Sequence, residues 1–300
     1  MKKIEKTTSI FLTGSSGFVG QNLNLFFKKF AKIRPLIRGE AIKINEEIVI
    51  HLAGKAHDLN KTSNPKKYYD VNTDLTKLCF DTFIKSNAKV FIMLSSVKAV
   101  ADQVTGVLYE DHTANPKTHY GKSKLLAEKY ILSKLIPKGK RVYILRPCMI
   151  HGPNNKGNLN LLFNFVSTGL PWVLGAFQNK RSFCSIDNLM FIIEKLIQNI
   201  DIPSGIYNIA DDKPLSSNEV VFLIFKSKKI KPRIWNLPKS LIKFIAVLGD
   251  KIYLPLNSER LKKITESYEV SNKKIVRAIN EDLPISSEEG LLKTFKSFNR

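Results

Sequence analysis

The sequence predicts an α/β fold, a doubly wound parallel sheet with helices on both faces and a smaller C-terminal substrate lobe. Three observations carry that expectation. Short apolar runs alternate with longer amphipathic stretches through the first half of the chain, the pattern of a parallel sheet covered by helices. The first of these runs leads at once into a glycine-rich loop that opens a helix. After Pro147 the texture changes to loops rich in Gly, Asn and Pro, such as 152–157. At 300 residues, 43% of them hydrophobic, the chain can build one large core or two unequal lobes. The expected division is 1–153 and 154–300, with the second part re-entering the first in places.

In chain order, Ser9–Thr13 reads as the first strand and 21–30 as the helix behind the loop. Strands follow at 34–38, 48–53, 89–95 and 141–146, the last closed by Pro147, with helices expected at 70–86 and 120–134. The second half reads as helices at 159–167 and 187–198, a short strand near 206–209, and a helix from Ser287. The most apolar helical stretch, 240–254, is interrupted by Lys243, Asp250 and Lys251 and is too short to cross a bilayer. It is expected to pack on the core, with a peripheral membrane contact as the alternative.

Gly14, Gly17 and Gly20 stand directly after a strand and open a helix. That placement brings backbone N–H groups and a helix N-terminus to where a pyrophosphate can be received, the Rossmann-type arrangement for a dinucleotide. The alternative is a tight strand-to-helix turn and nothing more. About 20 residues past such a loop, a carboxylate meets the adenosine ribose, whereas an Arg can meet a 2′-phosphate. Arg38 at this position favours NADP(H), and Glu40 two residues later keeps NAD(H) open.

Tyr120 and Lys124 lie one turn apart on one helix face. An ammonium beside a phenol lowers the phenol pKa toward neutrality and makes it a usable acid or base. Ser96, closing a strand with Ser95 beside it, is placed to bind the same substrate oxygen. Taken alone the Tyr-Lys spacing describes any exposed helix pair; the glycine loop and the Ser-Ser strand end give it chemical meaning.

These motifs resemble the extended short-chain dehydrogenase/reductase family, in its nucleotide-sugar epimerase/dehydratase branch, over nearly the whole chain. Thr13 to Gly20, with Ser16, Phe18 and Val19 inside it, resembles the cofactor loop, and His51-Leu52-Ala53-Gly54 resembles the segment lining the nicotinamide side. The resemblance implies a structural and cofactor-side role for Asn72 and a catalytic set of Ser96, Tyr120 and Lys124. Arg146 to Pro153 resembles the family's Arg-Pro-x-x-x-Tyr-Gly-Pro with His151 in place of the tyrosine, a departure expected at the substrate mouth. Asn158 and Arg181 are implied contacts of the sugar nucleotide, Arg181 at its diphosphate, and Asp187 an acidic helix start of structural role.

The chemistry implied is hydride exchange with a sugar carbon, Tyr120 moving the hydroxyl proton. A 4,6-dehydratase of this family carries Asp-Glu after its Ser/Thr; here Ser96 is followed by Val97 and Lys98, which disfavours water elimination. The run Ser95 to Val100 and the segment from Arg146 to Arg181 are most similar to bacterial UDP-N-acetylquinovosamine dehydrogenases. That implies reduction of a UDP-4-keto-6-deoxy-N-acetylhexosamine for surface polysaccharide such as O-antigen. A UDP-glucose or UDP-N-acetylglucosamine 4-epimerase with bound NAD is the alternative.

Charge raises other partners. Lys and Arg number 48 against 26 Asp and Glu, a net +22, but only nine of the basic residues are Arg, the type favoured in base readout and bidentate phosphate recognition. Lysine pairs such as Lys66-Lys67, Lys228-Lys229, Lys262-Lys263 and Lys273-Lys274 are dispersed, so no nucleic-acid partner is expected. Cys79, Cys148 and Cys184 fit neither a disulfide framework nor a metal-binding spacing, and suit a reducing cytoplasm. The basic segment from Met1 to Thr8 leads into only a short apolar run and is not read as a signal peptide. No transmembrane segment is expected, and homodimerisation is left open.

Overall fold

The computed structural model describes residues 8–56, 64–155, 157–252 and 257–299. Most of the basic N-terminal segment (1–7), Lys156 of the 152–157 loop, and Tyr253 and Leu254 of the apolar stretch lie outside them.

The first half runs β1 (Ser9–Thr13), α1 (Phe18–Phe27), β2 (Lys32–Pro35), β3 (Ile48–His51), α2 (Lys66–Tyr69), a π-helical turn at Asp70–Asp74, α3 (Leu75–Lys85), β4 (Val90–Leu94), β5 (Val107–Leu108), α4 (His119–Leu132) and β6 (Arg141–Pro147). The second runs β7 (Met149–His151), α5 (Asn158–Ser167), β8 (Phe183–Ser185), α6 (Ile186–Gln198), β9 (Gly205–Ile209), α7 (Ser217–Lys228), α8 (Lys239–Ile252), α9 (Ser258–Thr265), β10 (Glu269–Val270), α10 (Lys273–Ile279) and α11 (Ser287–Phe298). Six strands form one sheet in the order β2-β1-β3-β4-β6-β9, every pair parallel.

Burial on both faces explains the continuous apolar strands. Ile10, Leu12, Ile48, Ile50, Val90, Ile92, Tyr143 and Leu145 enter one core with Leu23 and Phe27 of α1 and the apolar face of α6. The residues between them, Phe11, Val49, Phe91, Met93, Val142 and Ile144, enter a second core with Phe80 and Phe83 of α3 and Ala127 and Ile131 of α4. A third core, built by α5, α7, α8 and α11, holds the C-terminal lobe.

Four departures from the sequence reading have physical reasons. Helix α1 begins at Phe18, three residues early, because Gly17 in extended conformation takes the N-cap position. The second strand stops at Pro35 rather than Arg38, since 37–40 fold into a turn with Gly39 at φ +90°. The helix expected at 70–86 begins further upstream and passes through the π turn, which buries Asn72 and Thr73. The short strand near 206–209 is not part of a separate lobe: it is β9, paired to β6 as the sixth strand of the large sheet.

The chain leaves β1 outward to β2, then returns to the other side of β1 as β3. The glycine loop therefore sits at the switch point of the sheet, and the carboxyl ends of β1, β3, β4 and β6 open on one edge.

Candidate active site

The loop after β1 is closed by its own backbone. A Cβ on Gly14 would stand 2.6 Å from the Ala53 nitrogen, and one on Gly20 would stand 2.2 Å from the Gly14 carbonyl oxygen. These two glycines let loop, helix and the β3 end meet. Gly17 differs: a Cβ there would meet only the Gly14 oxygen at 3.4 Å, so its lack of a side chain leaves space in front of the helix. No side chain caps α1 and its first turn holds no acidic residue, whereas α4, α6 and α7 are capped by Thr118, Ser185 and Ser216. An open, uncapped helix N-terminus suits a pyrophosphate. Phe18 and Val19 turn their side chains to the core, leaving only backbone to the loop.

The segment after β3 is held by a buried chain of hydrogen bonds. Ala53 N–H donates to Thr13 Oγ1 (3.1 Å), Thr13 meets His51 Nδ1 (2.8 Å), His51 Nε2 meets Thr76 Oγ1 (2.8 Å), and Thr76 donates to the Asn72 carbonyl (2.8 Å). Thr76 has spent its proton on Asn72 and so accepts from His51, which fixes the imidazole as the neutral Nε2–H form. Burial supports this by pushing the His51 pKa down to about 3, with the Lys124 charge acting the same way.

Asn72 clamps the next turn: its Oδ1 accepts from Lys55 N–H (2.8 Å) and its amide donates to the Lys55 carbonyl (3.0 Å) and Ser123 Oγ (2.9 Å). Both amide protons are committed to the protein, so Asn72 shapes the site by holding the 53–55 loop against α4. Gly54 makes room for the result, since a Cβ there would lie 2.9 Å from Lys124 Nζ.

Ser96, Tyr120 and Lys124 converge. Thr118 caps α4 by accepting from Gly121 N–H (3.2 Å), which fixes where Tyr120 and Lys124 leave the helix. Ser96, buried at the start of a short 3₁₀ turn where its hydroxyl accepts from Lys98 N–H (3.2 Å), lies close enough to Tyr120 to act on the phenol. Lys124 Nζ donates to the Leu94 carbonyl (2.9 Å), and burial pushes its pKa down to about 8 against the pull of Glu128. The Tyr120 phenol is held above its ordinary value by burial, with the Ser96 hydrogen bond working against the shift and Glu128 adding to it. In this state the phenol thus keeps its proton, opposite to the lowering expected from Lys124.

Ser95 has a different task. Its hydroxyl donates to Glu128, a carboxylate with no solvent exposure that also receives Arg146 Nη2 at 2.6 Å. Sequence reasoning missed Glu128, although its signal is plain: it lies one turn beyond Lys124, as Lys124 lies one turn beyond Tyr120. Lys98, two residues past Ser96, is also drawn in. Its Nζ donates to the Asp102 carbonyl (2.7 Å) and stands 4.1 Å over the Tyr268 ring. Burial lowers its pKa, Asp102 and Glu266 oppose that, and Arg181 adds to it. Tyr268 is a second missed residue: its hydroxyl donates to the Ala101 carbonyl (2.6 Å) and its N–H to the Lys180 carbonyl (2.7 Å), joining the loop after Ser96 to the segment that carries Arg181.

Arg181 is half-buried and pairs with Glu266 at 3.4 Å, on the Lys98 side of this arrangement. Asn158 opens α5 in an exposed position, and among the described residues no hydrogen bond joins it to Ser96, Tyr120 or Lys124. Arg38 is exposed on the turn after β2. His151 corrects an expectation: it is fully buried, with Nδ1 at 2.9 Å from Thr294 Oγ1 and Nε2 at 3.4 Å from Asp211, so it ties β7 to α11 and lines no substrate mouth. Asp187 pairs with Lys293 of α11 (2.8 Å), the structural role expected of it. The three cysteines are free and buried.

Residues 36–210 match the NAD dependent epimerase/dehydratase family. A UDP-glucose 4-epimerase of Vibrio cholerae is 29% identical, over 97% of this chain and 95% of its own. An N-acetyl-α-D-glucosaminyl-diphospho-ditrans,octacis-undecaprenol 4-epimerase of Escherichia coli O157:H7 is 28% identical over 89% and 84%. Among solved structures, RMD from Pseudomonas aeruginosa complexed with NADPH superposes with a TM-score of 0.71 at 18% identity, covering 97% of this chain and 99% of that one.

Proposed function

The chain belongs to the NAD dependent epimerase/dehydratase family, and from that premise we propose that it reduces the C4 ketone of a UDP-4-keto-6-deoxy-N-acetylhexosamine, with NADPH or NADH as the reductant. One observation carries the reading: Ser96, just past the end of β4, and Tyr120 and the buried Lys124, one turn apart on α4, come together at the carboxyl edge of the sheet, with Lys124 Nζ held on the Leu94 carbonyl. When bound, the dinucleotide supplies a hydride to the sugar carbon. The Gly14–Gly20 loop would receive its pyrophosphate at the open N-terminus of α1, Leu52 to Gly54 would line its path, and Lys124 beside Gly54 would hold its ribose.

The protein's own residues then have defined tasks. Ser96 donates a hydrogen bond to the ketone oxygen and keeps it on the Tyr120 side. Tyr120 gives its proton to that oxygen as negative charge builds there, and the Lys124 ammonium stabilises the phenolate left behind. Arg181 and Lys98 form a positive edge for the substrate diphosphate. Lys98, standing where a dehydratase of the family carries an acid, gives no group to pull a proton from C5.

A second reading is a UDP-sugar 4-epimerase, favoured by the UDP-glucose 4-epimerase relative that spans most of the chain. The deciding experiment supplies purified protein with reduced cofactor and the 4-keto sugar nucleotide and follows nicotinamide absorbance. Stoichiometric consumption supports the reductase. No consumption, together with interconversion of UDP-glucose and UDP-galactose, or of their N-acetyl forms, under NAD⁺, overturns it in favour of the epimerase.

The helices α3 and α4 pack side by side and expose Leu78, Leu126 and Leu132, which supports association of two copies across this pair. Light scattering would read a dimer mass.

A further inference from the structure

The expectation that the 240–254 stretch packs on the core is met along one face of α8. Ile242, Ala246 and Gly249 of α8 are buried, and the first two enter the core of the C-terminal lobe. On the outward side Leu241, Phe244, Val247, Leu248 and Ile252 are between 40% and 65% exposed. Spacings of three and four residues make these one stripe on one side of the helix. Trp235, on the segment leading into α8, is 54% exposed as well.

The charge around the stripe says what covers it. Residues 226–263 carry eleven Lys and Arg against two Asp and Glu, while 264–300 carry six of each. The whole excess of the last quarter of the chain is thus concentrated around α8. Lys239, Lys243 and Lys251 stand exposed on the helix itself. A second copy seated here would bring two strongly cationic surfaces together, whereas an anionic surface is attracted. At 14 residues, about 21 Å long, α8 is too short to cross a bilayer, and among the described residues no helix is long and apolar enough to do so. An exposed apolar stripe with Lys243 on its flank and Lys251 within it, and a tryptophan just before the helix, is the composition of a helix lying in the plane of a lipid interface.

We propose that α8 seats the protein on an anionic bilayer, its stripe at the headgroup–acyl boundary and its lysines at lipid phosphates. The inference is independent of which reaction the active site performs. The test is flotation of the full chain with vesicles of phosphatidylcholine alone and of phosphatidylcholine with phosphatidylglycerol. Expected is co-flotation with the anionic vesicles only, lost in high salt, and reduced at least about tenfold in the double variant Phe244→Glu, Leu248→Glu. The triple variant Lys239→Gln, Lys243→Gln, Lys251→Gln should weaken flotation while keeping the parent's melting temperature. No flotation with anionic vesicles at low salt overturns the proposal, as does equal flotation of the parent and the double glutamate variant. A double variant whose only change is a lower mass in light scattering overturns it in favour of a second copy.

Discussion

Tyr120 and His51 allow the sharpest tests at the scale of single residues. Tyr120→Phe removes the only proton the phenol can give and leaves its packing; turnover should fall by at least about a thousandfold with dinucleotide affinity nearly unchanged, read by steady-state kinetics and titration calorimetry. Lys124 gives a pH signature: as pH rises through about 8 its buried ammonium is lost, so dinucleotide binding should weaken over that interval and the slope should vanish in Lys124→Met. His51 acts on stability. Its folded pKa of about 3 lies below the 6.5 of the free side chain, so between those values the unfolded chain binds more protons and stability falls as pH drops. The melting temperature should decline from neutral pH toward pH 4, less steeply in His51→Gln; equal slopes would refute the buried neutral imidazole. Ser96, Tyr120 and Lys124 were legible because a strand end and a one-turn helix spacing are local signals. Tyr268 was not, since it reaches the Ala101 carbonyl from 167 residues away.

Among the elements, the glycine loop separates two roles that the sequence shows as one motif. Gly20→Ala drives a methyl to within 2.2 Å of a backbone oxygen and should disrupt the start of α1, seen as a lower melting temperature and lost dinucleotide binding. Gly17→Ala meets nothing closer than 3.4 Å. It should keep the parent's stability to within about 0.5 kcal/mol and still lose dinucleotide affinity about tenfold; normal affinity would mean the pyrophosphate is not held there. Strands and most helices were legible because alternation and caps are written in consecutive residues. The π turn at Asp70–Asp74 was not, because it is fixed by Asn72 bridging Lys55 and Ser123, partners distant in sequence. The exposed side of α8 was equally hidden, since composition shows how apolar a helix is and not how much of it finds a partner.

For the whole molecule, the +22 charge resolves into unlike parts. Arg146 is spent on Glu128, Arg181 and Lys98 would serve the proposed substrate edge, and the excess of the last quarter of the chain falls in 226–263, the stretch that contains α8. Binding of a nucleotide sugar should weaken with salt only modestly, vesicle binding steeply, and a comparison of the two slopes checks the division. The second half re-enters the first as β9, which returns to complete the sheet. During synthesis, then, β6 emerges long before the strand that covers it. Until residue 209 has left the ribosome, the growing chain carries a bare hydrophobic sheet edge. The nascent protein is thereby exposed to strand-to-strand misassembly for the whole time that α5, β8 and α6 are being made, and a fragment ending at 153 is expected to aggregate rather than fold.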